Sequence, residues 1–395
     1  MKWASAISTN EQLDPCIEET VASIKQQLGG AEPHLTILFV SSNYGTDLDA
    51  VREKVSKLMS PGILFGCTGG GIIGAGEEVE QKPAFSMTCA HLPDVNIKPI
   101  YSDTLNLPDQ DTAPSVWREW LGVEAVENLH FIFLADPFSF RGEEFLAGFD
   151  FAYPNSKKVG GLASGARQPG GNRLFLDDKI YSKGMVGLAL SGNIQLDTVV
   201  AQGCRPIGKP MNITECDQML IRTLDGKPPL EILQEIYETL NEKDQELLQT
   251  SLFLGIEMNA LNDNPQQGDF LIRNLMGADR ESGGISVGAM LREGQLVQFH
   301  LRDKIMSAED LNMVLTRYSE KNDLAEGSGA LLFSCLGRGQ YLYGEPNHDS
   351  NMFKEKLGAI PLGGFFCNGE IGPVGSSTFL HGYTSSFGIF KPASA

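Results

Sequence analysis

The chain has 395 residues, of which 42% are hydrophobic and 21% charged, and its formal net charge is −19. That length calls for two or three domains, because one core rarely grows so large, and the composition is that of a globular chain, not a disordered one. The acidic balance repels nucleic-acid phosphates and anionic membrane, so neither is an expected partner.

The start, Met1-Lys2-Trp3-Ala4-Ser5, lacks a signal-peptide apolar core, and no apolar run reaches membrane-spanning length. Seven cysteines at wide spacings, with no C-x-x-C pair, do not form a disulfide framework or a zinc finger. A reducing cytoplasm is the expected setting. The six histidines are scattered without metal-ligand spacing, so neither a metal nor another cofactor is expected.

Residues 1–29 form an N-terminal strand and helix ahead of the first domain, placed at 30–225. Within it, residues 35–40 are a β-rich run, residues 47–59 have helical apolar spacing, and Ile63-Leu64-Phe65 is a second strand. Strand, helix and strand in so short a span predict a parallel βαβ unit. The glycine corner Gly66-Cys67-Thr68-Gly69-Gly70-Gly71 follows, then a strand over 84–92.

The plan recurs with a strand at 131–135, a short helix near 143–149, a strand at 158–162 and the corner Gly160-Gly161-Leu162-Ala163-Ser164-Gly165. Residues 173–176 and 185–190 read as a hairpin around Asp177-Asp178. A boundary falls near Asp225-Gly226-Lys227-Pro228-Pro229, and the second domain spans 226–390. It opens on one helix over 230–248, then strands at 252–256, 285–291 and 295–301, the last two meeting across Arg292-Glu293-Gly294, and a helix over 308–320. The third unit closes the chain. It has a strand at 330–335, a helix at 349–357 and a strand at 361–366. The corner Gly363-Gly364-Phe365-Phe366-Cys367-Asn368-Gly369-Glu370 comes next, with one or two strands over 378–390. The fold class is therefore α/β, with two domains of mixed sheets covered by helices and related βαβ-plus-strand units.

Glycine at a strand end frees the backbone to turn and bares N–H groups to a ligand. Thr68, Gly69, Gly70, Ser164, Gly165, Asn368 and Gly369 are the corner candidates, with Thr68, Ser164 and Asn368 read as equivalent. Turn chemistry alone also accounts for such short polar side chains. Arg273, Arg302 with Asp303, and Arg338 beside Gly339 are candidates for gripping a carboxylate, since guanidinium offers paired donors. Glu370 is a candidate acceptor for an amine, and an arginine with a glutamate suits an amino acid; a structural Arg338–Glu370 pair is the alternative. Cys335 ends an apolar strand, where Arg338 could favour thiolate and His381 act as base, but free cysteine is more often a buried hydrophobe. Gly69-Gly70-Gly71-Ile72-Ile73-Gly74 satisfies G-x-G-x-x-G, yet Gly74, Gly76 and Pro83 interrupt the helix a dinucleotide site needs.

These corners resemble those of the FIST family, in which a FIST N-terminal domain precedes a FIST C-terminal domain. The resemblance extends over roughly residues 30 to 390. It includes Val186-Gly187-Leu188-Ala189-Leu190-Ser191-Gly192, Gln202-Gly203-Cys204-Arg205-Pro206-Ile207-Gly208 and Phe333-Ser334-Cys335-Leu336-Gly337-Arg338-Gly339. The most telling piece is Pro361-Leu362-Gly363-Gly364-Phe365-Phe366 followed by Asn368-Gly369-Glu370-Ile371. The resemblance implies a small-ligand-binding sensory protein without catalysis of its own, its ligand an amino acid, signalling through a separate protein partner. The alternatives are an interaction protein docking by an acidic surface and a cysteine-dependent enzyme using Cys335.

Overall fold

The computed structural model describes residues 1–393 apart from 110, 260, 261, 263, 264, 323 and 325 and the side chains of 46 and 47. It divides into two compact units, one of Met1–Val200, Met313–Leu380 and Thr384–Ala395, the other of Ala201–Asn312 and His381–Tyr383.

The first unit is one plan used three times. The first repeat runs β1 (Lys2–Ser8), α1 (Leu13–Leu28), β2 (Leu35–Ser41), α2 (Val51–Leu58), β3 (Ile63–Gly69), β4 (Gly71–Gly74), β5 (Glu77–Glu80) and β6 (Phe85–His91). The second runs β7 (Val95–Ser102), α3 (Pro114–Leu121), β8 (His130–Ala135), α4 (Gly142–Ala152), β9 (Lys158–Leu162), β10 (Leu174–Leu176), β11 (Lys179–Tyr181) and β12 (Met185–Gly192). The third begins with β13 (Gln195–Ala201).

It is then interrupted by β14 (Cys204–Asp217), β15 (Leu220–Leu224), α5 (Pro229–Thr239), α6 (Glu242–Thr250), β16 (Leu252–Glu257), β17 (Phe270–Asp279), β18 (Gly284–Val287) and β19 (Leu296–Arg302). It resumes with α7 (Lys304–Lys321), β20 (Gly329–Cys335), α8 (Gly339–Tyr343), α9 (His348–Leu357), β21 (Leu362–Cys367), β22 (Glu370–Val374), β23 (Ser377–His381) and β24 (Ser385–Lys391).

The expected parallel βαβ pairs are present: β2 with β3, β8 with β9, β20 with β21. Each first strand also takes an antiparallel return strand, β6, β12 or β24. The remaining hairpin of each repeat does not stay in its own sheet. β4 leaves the first corner to pair with β21, β22 leaves the third to pair with β9, and β10, which follows the second corner, pairs with β3. The three six-stranded sheets therefore read β1-β6-β2-β3-β10-β11, β7-β12-β8-β9-β22-β23 and β13-β24-β20-β21-β4-β5, the same order in each.

Side-chain alternation along a strand sends successive residues to opposite faces. Leu35, Ile37 and Phe39 of β2, Ile132 and Leu134 of β8, and Leu331 and Phe333 of β20 all join one central core shared by the three sheets. The intervening Leu38 and Val40 pack with α1 and α2, and Phe131, Phe133 and Ala135 with α3 and α4. Strands buried on both faces explain the continuous apolar runs. Phe365 anchors the centre, stacked on Phe39 at 4.9 Å and edge-on to Phe333 at 5.9 Å.

The second unit is a closed barrel in the order β14-β15-β18-β17-β16-β19, whose core includes Ile232, Leu233 and Ile236 of α5. Four local readings change. The 230–248 helix is two helices, because Leu240 turns extended and the Asn241 side chain accepts the Asp244 N–H to start α6. β10 pairs with β11 around Asp177, while the 185–190 stretch lies in β12 between β7 and β8. β18 pairs with β15 and β17 and β19 with β14 and β16, so the strands flanking Arg292-Glu293-Gly294 are not a hairpin. The 47–59 segment begins as a 3-10 helix over Ser42–Ala50, and α2 starts only at Val51.

Gly66, Gly160 and Gly364 face Leu38, Phe133 and Leu332 across the three parallel pairs. An added Cβ would collide with that residue's carbonyl oxygen in every case. Gly364→Ala is expected to lower unfolding stability by about 2 kcal/mol or more, as overpacking against a backbone that cannot retreat. Gly277→Ala, whose Cβ meets nothing within 4 Å, leaves it unchanged; urea unfolding of the two variants checks this.

Candidate functional site

Counted from those three equivalent glycines, the fourth residue onward is Gly70, Ser164 and Asn368. Thr68 is thus not the equivalent of Ser164 and Asn368; Gly70 is. These three places meet at the carboxyl ends of the central strands. Gly70 N–H donates to Ser164 Oγ at 2.9 Å, and Ser164 Oγ donates to the Phe366 carbonyl. Ser164 N–H reaches Thr68 O at 3.3 Å, Asn368 N–H reaches Leu162 O at 3.0 Å, and Leu162 N–H reaches Gly369 O at 2.8 Å. Asn368 Nδ2 donates to Ala163 O at 3.1 Å.

Ser164 is 9% exposed and sits beneath this surface, while Gly70, Leu336 and Asn368 are exposed and Cys335 is half-buried. Gly70 borders Leu336 and Ser164, and a Cβ there would come 2.9 Å from Leu336 Cδ2. Gly69 is buried against Phe365, and Gly165 leaves room for Thr68.

Thr68 serves a second buried network that sequence reasoning missed. Its N–H donates to Arg173 O at 2.9 Å, and its hydroxyl accepts the Arg173 N–H at 3.0 Å while reaching Asn172 Oδ1 at 3.3 Å. Asn172 Nδ2 in turn donates to Asp136 Oδ1 at 3.0 Å. Asp136 follows an apolar strand directly, and that placement was the only signal in the sequence.

The third corner carries the densest charge. Arg338 is fully buried, with Nε 2.8 Å and Nη2 3.2 Å from the two Asp349 oxygens and Nη2 also 2.5 Å from the Tyr343 hydroxyl. Asp349 accepts further hydrogen bonds from Ser385 and Ser334, and His348 Nδ1 lies 3.0 Å away. Burial opposes ionisation of Asp349, but the Arg338 guanidinium and these donors outweigh it and hold the carboxyl well below the usual carboxylate range.

Glu370 is equally buried and accepts from Thr384, N–H at 3.2 Å and Oγ1 at 2.8 Å. The alternative of a structural Arg338–Glu370 pair is therefore not formed: Asp349 takes the guanidinium because α9 brings it directly behind the loop. Gly339 is left-handed at φ 66 and lies against the Glu80 carboxylate, where a side chain would collide.

Cys335 lies beside Cys367 in the β20–β21 register and accepts the Gly337 N–H at 3.5 Å. Burial pushes the Cys67 and Cys367 thiols well up, so both behave as core hydrophobes. His381 belongs to the barrel unit, not to the unit that holds Cys335. Arg273, Arg302 and Asp303 also belong to the barrel unit. Arg302 lies 5.0 Å over the Tyr383 ring, Arg273 donates to Ile272 O at 3.2 Å, and Asp303 accepts Met306 N–H at 2.9 Å at the start of α7. Burial raises the Asp303 carboxyl, but the Met306 and Lys243 donors outweigh it and leave it below its ordinary value. Gly71–Gly74 is strand β4, so no helix N-terminus follows the G-x-G-x-x-G segment. Among the described residues no cluster of histidine, cysteine and carboxylates could hold a metal, and no helix is long and apolar enough to cross a membrane.

Fold and corners together define a threefold-repeated α/β protein whose polar strand ends gather on one face, with a β-barrel inserted in its third repeat. The FIST N domain matches residues 34–227 and the FIST C domain residues 229–373, so the chain belongs to the FIST family, whose domains are sensory, ligand-binding signalling domains. The junction of the two matches falls between β15 and α5, inside the barrel unit. An uncharacterised protein of Mycobacterium tuberculosis is 34% identical over 390 residues, covering 99% of this chain and all of the relative. One of Mycobacterium bovis is 33% identical over 391 residues, covering 99% of each chain. A cyanuric acid hydrolase from A. caulinodans aligns structurally at a TM-score of 0.35 and 8% identity, over 100% of this chain and 99% of that one.

Removing one partner of the buried ion pair leaves an uncompensated charge. Asp349→Ala is expected to cost about 3–5 kcal/mol, and the paired change Arg338→Met with Asp349→Leu to recover most of it. Thermal unfolding of the single and double variants measures the difference.

Proposed function

We propose that this chain is a cytoplasmic sensory protein that binds a small polar metabolite on the corner face, performs no chemistry of its own and acts through a separate protein partner. The supporting observation is the meeting of Gly70, Ser164 and Asn368, one residue from each repeat, around exposed backbone at the strand ends. Open α/β sheets bind ligands at that end of their strands. None of the seven cysteines forms a disulfide, in keeping with a reducing compartment, and the net charge of −19 favours a basic partner surface.

Amino acids remain the first ligands to test, on family grounds. The two groups expected to grip one, Arg338 and Glu370, are buried and committed to Asp349 and Thr384. Recognition therefore rests on the exposed corner backbone and Asn368, with Ser164 holding Gly70 in place from beneath. Titration calorimetry with amino acids, organic acids and nucleotides is expected to find one class that binds the wild type, and Gly70→Val, which fills the gap between Leu336 and Ser164, to weaken it at least tenfold with unchanged folding. If no class gives heat and metabolite extracts leave the melting temperature unmoved, the proposal fails.

A second reading is favoured by the half-buried Cys335, which shares this face with Leu336. As a nucleophile it would alkylate with iodoacetamide at neutral pH far faster than Cys67 or Cys367. Intact-mass and peptide mapping are expected to show slow labelling, because Asp349 neutralises the Arg338 charge that would stabilise a thiolate.

A further inference from the structure

We propose that hairpin β4–β5 is a titratable latch, in which Glu78 and Glu80 hold the first turns of α9 and α8 and ionisation of Glu78 releases them. Glu78 Oε1 accepts the Ser350 N–H at 2.7 Å, and Glu78 N–H donates to Asn347 Oδ1 at 2.6 Å. Glu80 Oε1 accepts the Gln340 N–H at 2.8 Å. These contacts join the exchanged hairpin of the first repeat to both crossover helices of the third.

The other two exchanged hairpins are held differently. Arg52 of α2 donates to the Asp177 carbonyl at the β10–β11 turn, and Asp150 of α4 accepts from Thr378 of β23 while paired with Lys158 at 2.8 Å. A permanent cation or a neutralised carboxylate makes each of those joints. In the third, Glu78 is 6% exposed, and among the described residues no cation lies against it and its Oε2 has no hydrogen-bond partner.

The charged and titratable groups around Glu78 are Glu80 on its own strand and Asp349 on α9. Arg338 and His348 are both held by Asp349, and Tyr343 of α8 by Arg338. Burial, then the Asp349 carboxylate, push the Glu78 carboxyl from 4.5 up to about 8 despite the Ser350 hydrogen bond. The closed joint thus holds a proton that the opened one releases. Its stability is full below the ordinary carboxyl value and is lost as pH rises through about 8. Gly70 leads directly into β4 and Leu336 into the Arg338 loop, so both walls of the corner face end in this joint. That consequence for binding rests on the reading of the corner face as a ligand site; the latch itself does not.

Hydrogen exchange on the full chain without ligand, at pH 7 and pH 9 and corrected for intrinsic rates, tests the joint. Peptides covering β5 and residues 336–350 are expected to open about tenfold more at pH 9, with barrel peptides unchanged. Glu78→Gln, which keeps the acceptor for Ser350, is expected to abolish that difference. Equal openings at both pH values, or the same rise in Glu78→Gln, overturns the proposal. Should Glu78→Gln not fold, carbon-13 titration of the wild-type glutamate carboxyls decides: one resonance moving near pH 8 and altered by Glu80→Gln supports the latch, and none in that range sinks it. A chain that binds no metabolite yet passes these tests separates failure of the ligand reading from failure of the latch.

Discussion

Cyclic hairpin exchange is the constraint on which the first unit depends. No repeat completes its own sheet: the outermost pair of strands in each comes from another repeat, and the donation runs from the first to the third, the third to the second and the second to the first. Backbone hydrogen bonds left open at a sheet edge are costly when buried, so removing any one hairpin would strip pairing from a neighbour's central strand. Exchange also explains the corners. To leave one sheet and enter the next, the chain must turn abruptly beside the two other repeats, which do the same. Just before each turn, at Gly66, Gly160 and Gly364, no side chain fits.

The corner face is thus a by-product of topology. Its inner layer is satisfied by cross-repeat hydrogen bonds through Ser164, Asn368 and Leu162, and its outer layer is glycine backbone, Leu336 and Asn368. The repeats differ behind this face. The second places Asp136 and Asn172 there, whereas the third places the Arg338–Asp349 pair with Glu78 and Glu80 close by. A buried pair of that kind contributes little net stability but makes its geometry hard to change. It ties the loop from Leu336 to Gln340 to α9 through Arg338.

Much of this was legible in the residues. The apolar runs of β2, β8 and β20, the three βαβ units and the three glycine corners all follow from composition and period, because strands buried on both faces must be apolar throughout. The errors share one cause. Chemical type pairs Thr68 with Ser164, and opposite charge pairs Arg338 with Glu370, but register against the parallel neighbour decides equivalence, and helix α9 decides which carboxylate reaches the guanidinium. The turn at Arg292-Glu293-Gly294 looked like a hairpin because local spacing is blind to which strands a barrel closes.

By itself the sequence determined the α/β class, the repeating strand–helix–strand plan, the glycine corners and membership of the FIST family, since each is written in local period or in an ordered set of short motifs. Tertiary structure decided that the hairpins change sheets, that all three corners lie in one compact unit while Arg273, Arg302 and Asp303 lie in the other, and that Arg338 is spent on Asp349. These depend on pairings between residues far apart in the chain. Hydrogen bonds and burial select such pairings only once competing partners are brought together in space, so no local pattern can carry them.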